Sequence, residues 1–172
     1  MNNIKEVLES GDVMRFHACP HMIKQNMSSH EWGVAVLCKH LKEDITADEL
    51  MIALTHDSCE LITGDIPATL KWTYPEVKQL LNKIEDRIDL LPAYECSKDF
   101  KYILKLADYL EGIIYCYNCA INGNNQARII YLRWVPALLK YIDDNIDHIS
   151  STAITKASII LSTYKLEDTK DE

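Results

Sequence analysis

One short stretch of the sequence concentrates side chains that metal-dependent enzymes use. Residues 55–67 (THDSCELITGDIP) contain one imidazole, His56, and three carboxylates, Asp57, Glu60 and Asp65. An imidazole beside a carboxylate forms a natural pair of ligands for a divalent cation. The pair alone is more typical of a capping aspartate next to a solvated histidine. Its meaning therefore depends on the elements that position it and on the groups that lie elsewhere in the chain.

The residues before this stretch predict a helix that ends at the His-Asp pair. Residues 47–54 (ADELMIAL) have helical periodicity, and Thr46 with Glu49 forms a capping-box pattern at its start. We expect its buried face at four apolar positions: Leu50, Met51, Leu54 and Leu61. Gly64 and Pro67 then break the helix. The resulting turn is expected to bring Asp65 back towards the pair.

The remaining sequence predicts an all-α protein, a bundle of six or seven helices. Further helical segments are expected at about 4–10, 28–41, 73–90, 97–121, 127–141 and 151–164. Two more capping boxes, Ser28 with Glu31 and Thr73 with Glu76, are expected to start the second and fourth helices. No strand-like alternation or Gly-rich phosphate loop is present, which argues against P-loop and Rossmann nucleotide binding. We expect residues 1–172 to form one domain, with 165–172 as a frayed charged tail.

The charge balance excludes some classes of function. The chain has a formal net charge of -8, whereas binding of polymeric DNA or RNA needs a basic face. No stretch of about 20 apolar residues predicts a membrane span, and no secretory signal is recognisable. The six cysteines are therefore expected to be reduced, and the protein to be cytoplasmic, in the host cytoplasm if a phage encodes it.

Metal-binding groups recur along the chain in a recognisable order. His30 lies in the first turn of a predicted helix, His56 and Asp57 at a helix end, and Asp108 within the long helix after residue 97. This order resembles the HD phosphohydrolase superfamily, which is all-helical. The resemblance implies that these four residues hold one divalent metal. An N,O ligand set suits Co²⁺, Mn²⁺, Zn²⁺, Fe²⁺ or Ni²⁺, and the sequence does not choose among them.

Neighbouring residues narrow the resemblance to the HD 5′-deoxynucleotidases. The chain has Glu60 and Asp65 in the pattern His-Asp-x-x-Glu-x-x-x-x-Asp, and an Arg-Phe pair at residues 15–16 where these enzymes usually carry Arg-Trp. Lys71, and Lys105 three residues before Asp108, complete the similarity. We expect Glu60 to orient or deprotonate the attacking water, with Asp65 sharing that role or assisting the leaving oxygen. The expected substrate contacts are Arg15, Phe16, Ala18, Lys71 and Lys105.

The sequence leaves the substrate open between related enzymes. Short phage members of the superfamily act on dATP, releasing deoxyadenosine and triphosphate, and accompany genomes that replace adenine with 2-aminoadenine. We favour this dATP triphosphohydrolase activity because the chain is compact and three cations exceed the need of one phosphate; Mg²⁺ is then expected with the triphosphate. The alternatives are a 5′-deoxynucleotidase acting on deoxynucleoside monophosphates and a non-catalytic nucleotide-binding HD sensor. The resemblance also implies a homo-oligomer, either a dimer or a hexamer.

Overall fold

The computed structural model describes residues 4–19, 22–85, 87–88, 90 and 94–166, and it is helical almost throughout. The helices are α1 (Ile4–Ser10), α2 (Met27–Leu41), α3 (Ala47–Thr55), α4 (Glu60–Thr63), α5 (Ala68–Thr73), α6 (Pro75–Glu85), α7 (Phe100–Ile121), α8 (Asn125–Asp144) and α9 (Ser151–Thr163). The predicted all-α class is confirmed. All seven predicted helices are present, and the short helices α4 and α5 add to them. No helix of the described residues is long and apolar enough to cross a lipid bilayer.

The long helix α7 forms the centre of the bundle and packs against α8, α2 and α9. Its inward residues recur at helical spacing: Phe100, Ile103, Leu106, Ala107, Leu110, Ile113 and Cys116. Close approach of α8 requires Gly112, because a Cβ at this position would lie 1.7 Å from the ring of Trp134. This contact fixes the tryptophan ring against α7. Leu166 also packs in the core, whereas residues 167–172 of the predicted tail lie outside the described residues.

Helix α2 departs from its prediction at its start and on one face. Asn26, not Ser28, is the N-cap, and its side chain accepts a hydrogen bond from the backbone N–H of Ser29. Glu31, expected at the third helical position of a Ser28 capping box, is buried in the interior instead. The side chain of Trp32, on the same helix, is 66% exposed although tryptophan is largely apolar. The N-cap therefore lies two residues earlier than predicted, and the helix turns a carboxylate inward.

Helix α3 keeps its predicted capping box but buries a different face. Thr46 and Glu49 exchange the two capping-box hydrogen bonds. The buried residues of the helix are Glu49 and Ala53, whereas Met51 and Leu54, expected inside, are exposed. The Glu49 carboxylate accepts hydrogen bonds from four donors: Lys42 Nζ at 2.8 Å, Thr46 N at 3.1 Å, and Ser97 N and Oγ at 3.1 and 2.7 Å. These bonds satisfy a buried charge and tie α3 to the segment that leads into α7.

Helix α6 is shorter and less buried than predicted. Thr73 is the last residue of α5 and does not start a capping box, and the helix begins at Pro75. The predicted extension to residue 90 is not helical where it is described, and residues 86 and 89 lie outside the described part. No residue of α6 is fully buried, and Leu80, expected inside, is 59% exposed. The helix acts as a wall of a cleft more than as a core element.

The segment between α1 and α2, expected to be irregular, contains a two-stranded antiparallel pair. Strand β1 (Met14–Arg15) pairs with β2 (Gln25–Asn26). The loop between them is held by Lys24, whose Nζ donates to the carbonyl oxygens of Phe16, His17 and Cys19 at 2.7–3.2 Å. Phe16 itself has φ of +58°, a left-handed conformation that is unusual for a bulky residue. We call residues 15–19 the β1 loop.

Candidate metal centre and active site

The predicted site residues meet at one cavity of about 350 Å³ between the β1 loop and helices α4 to α8. Ten of the eleven line it: Arg15, Phe16, Ala18, His56, Asp57, Glu60, Asp65, Lys71, Lys105 and Asp108. The eleventh, His30, is fully buried beneath the cavity floor. The volume lies in the range of small-molecule sites in proteins.

The candidate metal ligands converge on one point of this floor. One ligand atom from each of His30, His56 and Asp57 lies within 4.8 Å of the other two. Oδ2 of Asp57 is 3.6 Å from Nε2 of His30 and 3.5 Å from Nε2 of His56. Oδ1 of Asp108 lies 3.4 Å from the same nitrogen of His30. Helix α2 supplies the first imidazole, the end of α3 and the following turn supply the second imidazole and Asp57, and α7 supplies the second carboxylate.

The hydrogen bonds of the two imidazoles leave the converging nitrogens free. Nδ1 of His30 lies 2.5 Å from Oε2 of Glu111, and Nδ1 of His56 lies 2.9 Å from the carbonyl oxygen of Ala53. Both partners are acceptors, so in each neutral ring Nδ1 carries the proton and Nε2 presents a lone pair. Both Nε2 atoms are buried and have no hydrogen-bond partner among the described residues. Orphaned nitrogens facing two carboxylates fit one divalent transition metal.

The charges of the floor stabilise its carboxylates in the ionised form. Burial opposes ionisation of Asp108, but the ammonium of Lys105 and the His30 ring hold the pKa of this carboxyl well below its usual range. Burial likewise opposes ionisation of Asp57, and His56 then lowers its pKa below the usual value. Burial lowers the pKa of His30, yet the neighbouring carboxylates of Asp108 and Glu111 raise it overall to about 9. The floor thus holds negative charge that a proton or a metal cation compensates.

Glu60 is the first residue of α4 and stands beside the ligand group without belonging to it. Its side chain is buried, and Oε2 has no partner among the described residues. Oε1 is 3.9 Å from Nζ of Lys71. Burial, reinforced by the charges of Asp57 and Asp65, raises the pKa of Glu60 to about 8. A carboxyl group of this kind can take up a proton near neutral pH, which suits general acid–base catalysis.

Asp65, predicted as a second catalytic group, is engaged with the β1 loop. Its Oδ2 accepts a hydrogen bond from the backbone N–H of Phe16 at 3.1 Å and lies 3.9 Å from Nδ1 of His17. The turn at Gly64, where φ is +70°, brings Asp65 to this position, as the sequence predicts. The carboxylate therefore helps to hold Phe16 in its left-handed conformation.

The three predicted phosphate-binding cations differ in their availability. Arg15 is buried, and its Nη1 has no partner among the described residues. Lys71 faces Glu60, and Lys105 forms an ion pair with Asp108 across one helical turn. Arg15 is thus the buried cation with an unpartnered donor, and its planar fork suits a phosphate oxygen pair.

Aromatic rings form one side of the cavity. Phe16 stacks on Tyr115 with ring centroids 5.1 Å apart, and Trp134 lies 6.4 Å from Phe16. Tyr109 meets Trp134 edge to face. Trp134 and Tyr109 line the cavity, so a planar base has aromatic faces available. No sequence motif predicts that residues of α8 reach the site.

Three further residues around the candidate metal centre were not predicted from the sequence. Glu111 and Gln25 join behind His30, where Gln25 Nε2 donates to Oε1 of Glu111 at 2.7 Å. Glu31 is buried, and burial together with the charge of Asp57 raises its pKa to about 7. Local patterns do not reveal these contacts, because the Gln25 and Glu111 partners are 86 residues apart in the chain.

Comparisons with known proteins find similar sequences and a solved structure of similar fold. A family model described as 5′-deoxynucleotidase YfbR-like matches residues 11–91. The chain is 25% identical to a 5′-deoxynucleotidase YfbR of Photorhabdus temperata, covering 83% of this chain and 86% of the relative. It is 27% identical to a 5′-deoxynucleotidase of Yersinia pestis (strain Pestoides F), covering 59% and 65%. In fold it is similar to the cyanophage S-2L HD phosphohydrolase DatZ, solved with dA and one catalytic Zn²⁺, with a TM-score of 0.70 and 17% identity over 95% of this chain and 98% of that one.

Proposed function

We propose that the chain is an HD-domain phosphohydrolase and that it hydrolyses dATP to deoxyadenosine and triphosphate with one divalent transition metal. The observation that carries the proposal is the convergence of two imidazoles and two carboxylates at the floor of a cavity walled by cations and aromatic rings. The coarser activity, hydrolysis of a deoxynucleotide phosphate ester, is supported by the relatives and by the fold.

His30, His56, Asp57 and Asp108 would hold the metal through the two Nε2 atoms and one oxygen of each carboxylate. When bound, the ion supplies a Lewis acid for a phosphoryl oxygen and lowers the pKa of a bound water from 15.7 towards roughly 7. We propose that Oε2 of Glu60, which is buried and unpartnered among the described residues, orients the attacking water and takes up its proton. Help of this kind contributes about 10²–10⁴-fold to a rate.

The cations would bind the phosphates, and the aromatic wall would bind the nucleoside. Arg15 has a buried, unused donor, and Lys71 and Lys105 extend the positive wall on either side of the floor. Three cations can neutralise more negative charge than a monophosphate carries, which favours a triphosphate, with Mg²⁺ on the phosphates that leave. Phe16 and Ala18 belong to the β1 loop and would face the base and sugar. The Asp65 carboxylate holds this loop through the Phe16 N–H, so Glu60 is the better placed of the two for proton transfer.

A second candidate is hydrolysis of deoxynucleoside monophosphates. The family model and the curated relatives are both described as 5′-deoxynucleotidases, and this specific observation favours the monophosphate. Arg15 alone of the three cations has a buried donor without a partner in the described residues, and one such donor suits a single phosphate. A non-catalytic nucleotide sensor is the third possibility, and the buried Glu60 beside the ligand group speaks against it.

Chromatography of the reaction products distinguishes these functions. The protein is incubated with dATP, dAMP, dGTP or ATP in the presence of Mn²⁺ or Co²⁺, and nucleosides and nucleotides are separated over time. Deoxyadenosine that forms from dATP without passing through dAMP supports the proposal. Turnover of dAMP alone selects the nucleotidase. Tight nucleotide binding without turnover in any metal selects the sensor.

Two variants test the assignment of residues. Glu60→Gln removes the proton acceptor but keeps the shape of the side chain, so hydrolysis should fall by at least about 100-fold while metal content stays unchanged. Asp108→Ala should release the metal, which elemental analysis by mass spectrometry measures directly. If Glu60→Gln loses the metal as well, Glu60 acts as a ligand and its proposed role is wrong. If Asp108→Ala retains the metal, the ligand assignment is wrong. Self-association stays a prediction, which sedimentation analysis checks.

A further inference from the structure

Glu111 joins the metal centre to the interior of the bundle, and we propose that it is a positioning residue that prepares His30 to bind the metal. The proposal rests on the proposed function only in requiring that the site binds a divalent cation. Glu111 lies on α7, one helical turn after Asp108. It does not line the cavity, so it acts through the imidazole and not on the substrate.

Both oxygens of Glu111 are used in a buried relay. Oε2 accepts from Nδ1 of His30 at 2.5 Å, and Oε1 accepts from Nε2 of Gln25 at 2.7 Å. His30 is fully buried, and Gln25 on β2 is also buried. Three elements, β2, α2 and α7, therefore meet at one carboxylate. Because it is held from both sides, the carboxylate leaves His30 little freedom to rotate.

The relay determines which nitrogen of His30 faces the metal site. A proton on Nδ1 is held by the Glu111 carboxylate, so the lone pair of the neutral ring is on Nε2, which points to Asp57 and Asp108. A carboxylate partner also makes the ring a stronger electron donor to a metal. His56 has only the neutral carbonyl of Ala53 behind its Nδ1. The two imidazoles are thus prepared differently, and the one that Glu111 supports is the one that is fully buried.

Gly33 provides independent support for the importance of this contact. It lies on α2, one turn after His30, in the middle of a helix, where a glycine is destabilising relative to alanine. A Cβ at residue 33 would lie 2.9 Å from Cγ of Glu111 and 3.4 Å from its Oε1. The missing side chain makes the space in which the carboxylate reaches His30. A helix-destabilising residue is therefore explained by access of Glu111 to the metal centre.

The affinity for a metal tests the proposal without relying on turnover. Full-length protein, freed of metal and dialysed, is titrated with Co²⁺ in competition with a chromophoric chelator, and the d–d absorption of bound Co²⁺ is followed. Loss of such a supporting partner typically costs 10–100-fold in metal affinity. We expect a loss of about 100-fold for Glu111→Ala. Glu111→Gln should lose only about 10-fold in Co²⁺ affinity. The amide oxygen of the new glutamine can still accept from Nδ1 of His30, and its NH₂ group can donate to Oε1 of Gln25, which has no partner among the described residues.

Asp99→Asn is the matched control, because Asp99 pairs with His148 at 3.8 Å just before α7 and far from the cavity. It should bind Co²⁺ as the wild type does. A graded loss from glutamine to alanine, measured well below each melting temperature, supports a positioning role over a merely structural one. Wild-type affinity in a folded Glu111→Gln and Glu111→Ala would overturn it, as would an equal loss in Asp99→Asn. If the wild-type protein binds no Co²⁺, Zn²⁺ or Mn²⁺, the proposed function itself is wrong. This outcome differs from wild-type metal affinity in the Glu111 variants, which would refute only the positioning role.

Discussion

Replacement of Glu49 by glutamine should destabilise the fold although no metal or substrate contact is removed. The carboxylate is 1% exposed and accepts four hydrogen bonds from Lys42, Thr46 and Ser97. In Glu49→Gln, the amide oxygen can still accept from Ser97, but the NH₂ group then faces the Lys42 ammonium and the Thr46 N–H, which are donors. About two bonds to a charged acceptor are lost, each worth about 1.5–3 kcal/mol.

We therefore expect Glu49→Gln to lower the free energy of unfolding by about 3 kcal/mol, near the lower end of what breaking a buried ion pair costs. For a chain of this size that loss corresponds to a fall in Tm of roughly 10 °C. Differential scanning calorimetry at pH 7 measures it. Glu43→Gln is the control, because Glu43 forms a comparable pair with Lys156 at 2.7 Å but is exposed. Its Tm should change by no more than about 2 °C, as expected for an exposed pair.

The pH dependence of the Glu49 effect follows from its hydrogen bonds. Burial opposes ionisation, but the bonds from Lys42, Ser97 and Thr46 lower the pKa of Glu49 from 4.5 to about 2. A carboxyl group with a lowered pKa in the folded state contributes stability above its unfolded pKa and loses it as the pH falls towards the folded value. The difference between wild type and Glu49→Gln should thus be about 1 kcal/mol smaller at pH 4 than at pH 7. A pH-independent difference, or a Tm within 2 °C of the wild type at pH 7, would refute the reasoning.

Two further predictions concern the walls of the cavity. Gly112→Ala places a methyl group 1.7 Å from the Trp134 ring, so the ring must move. The free energy of unfolding, measured in urea, should fall by at least about 1–3 kcal/mol, and KM should rise. An unchanged urea midpoint would contradict the packing. Lys24→Met removes the three bonds to β1-loop carbonyls and should raise KM several-fold with little change in kcat, because Lys24 does not touch the ligand group. Lys39→Met, which removes one bond to the Glu43 carbonyl, is the control, and an equal change in both variants would refute this role of Lys24.

The helices were largely predictable from local sequence, and their buried faces less so. Periodicity located seven helices, but α4 and α5, of four and six residues, are too short to show a period. On α3, periodicity placed Met51 and Leu54 inside and gave no sign that Glu49 is the buried residue. The reason is that the partner Ser97 lies 48 residues away, and only the folded chain satisfies the buried carboxylate.

In the candidate site too, some residues could be predicted from local sequence and others could not. His56, Asp57, Glu60 and Asp65 belong to one short segment, so their proximity could be read from spacing and from the turn at Gly64. His30 and Asp108 required a family resemblance, because nothing local indicates that α2 and α7 meet. No local pattern predicts the roles of Glu111 and Glu31. In the sequence, Glu111 resembles a surface residue of a long helix, and Glu31 resembles half of a capping box. Tertiary packing alone gives them their roles.

The walls of the cavity come from segments as distant in sequence as Arg15 and Trp134. An unfolded chain therefore presents only scattered donors, and whatever fills the cavity binds the native state alone. By mass action, a ligand at about 100 times its Kd adds about 2.7 kcal/mol to stability. Inside a cell, the supply of metal and nucleotide would then govern how long each molecule survives proteolysis, and starvation for either would lower the abundance of the protein as well as its output.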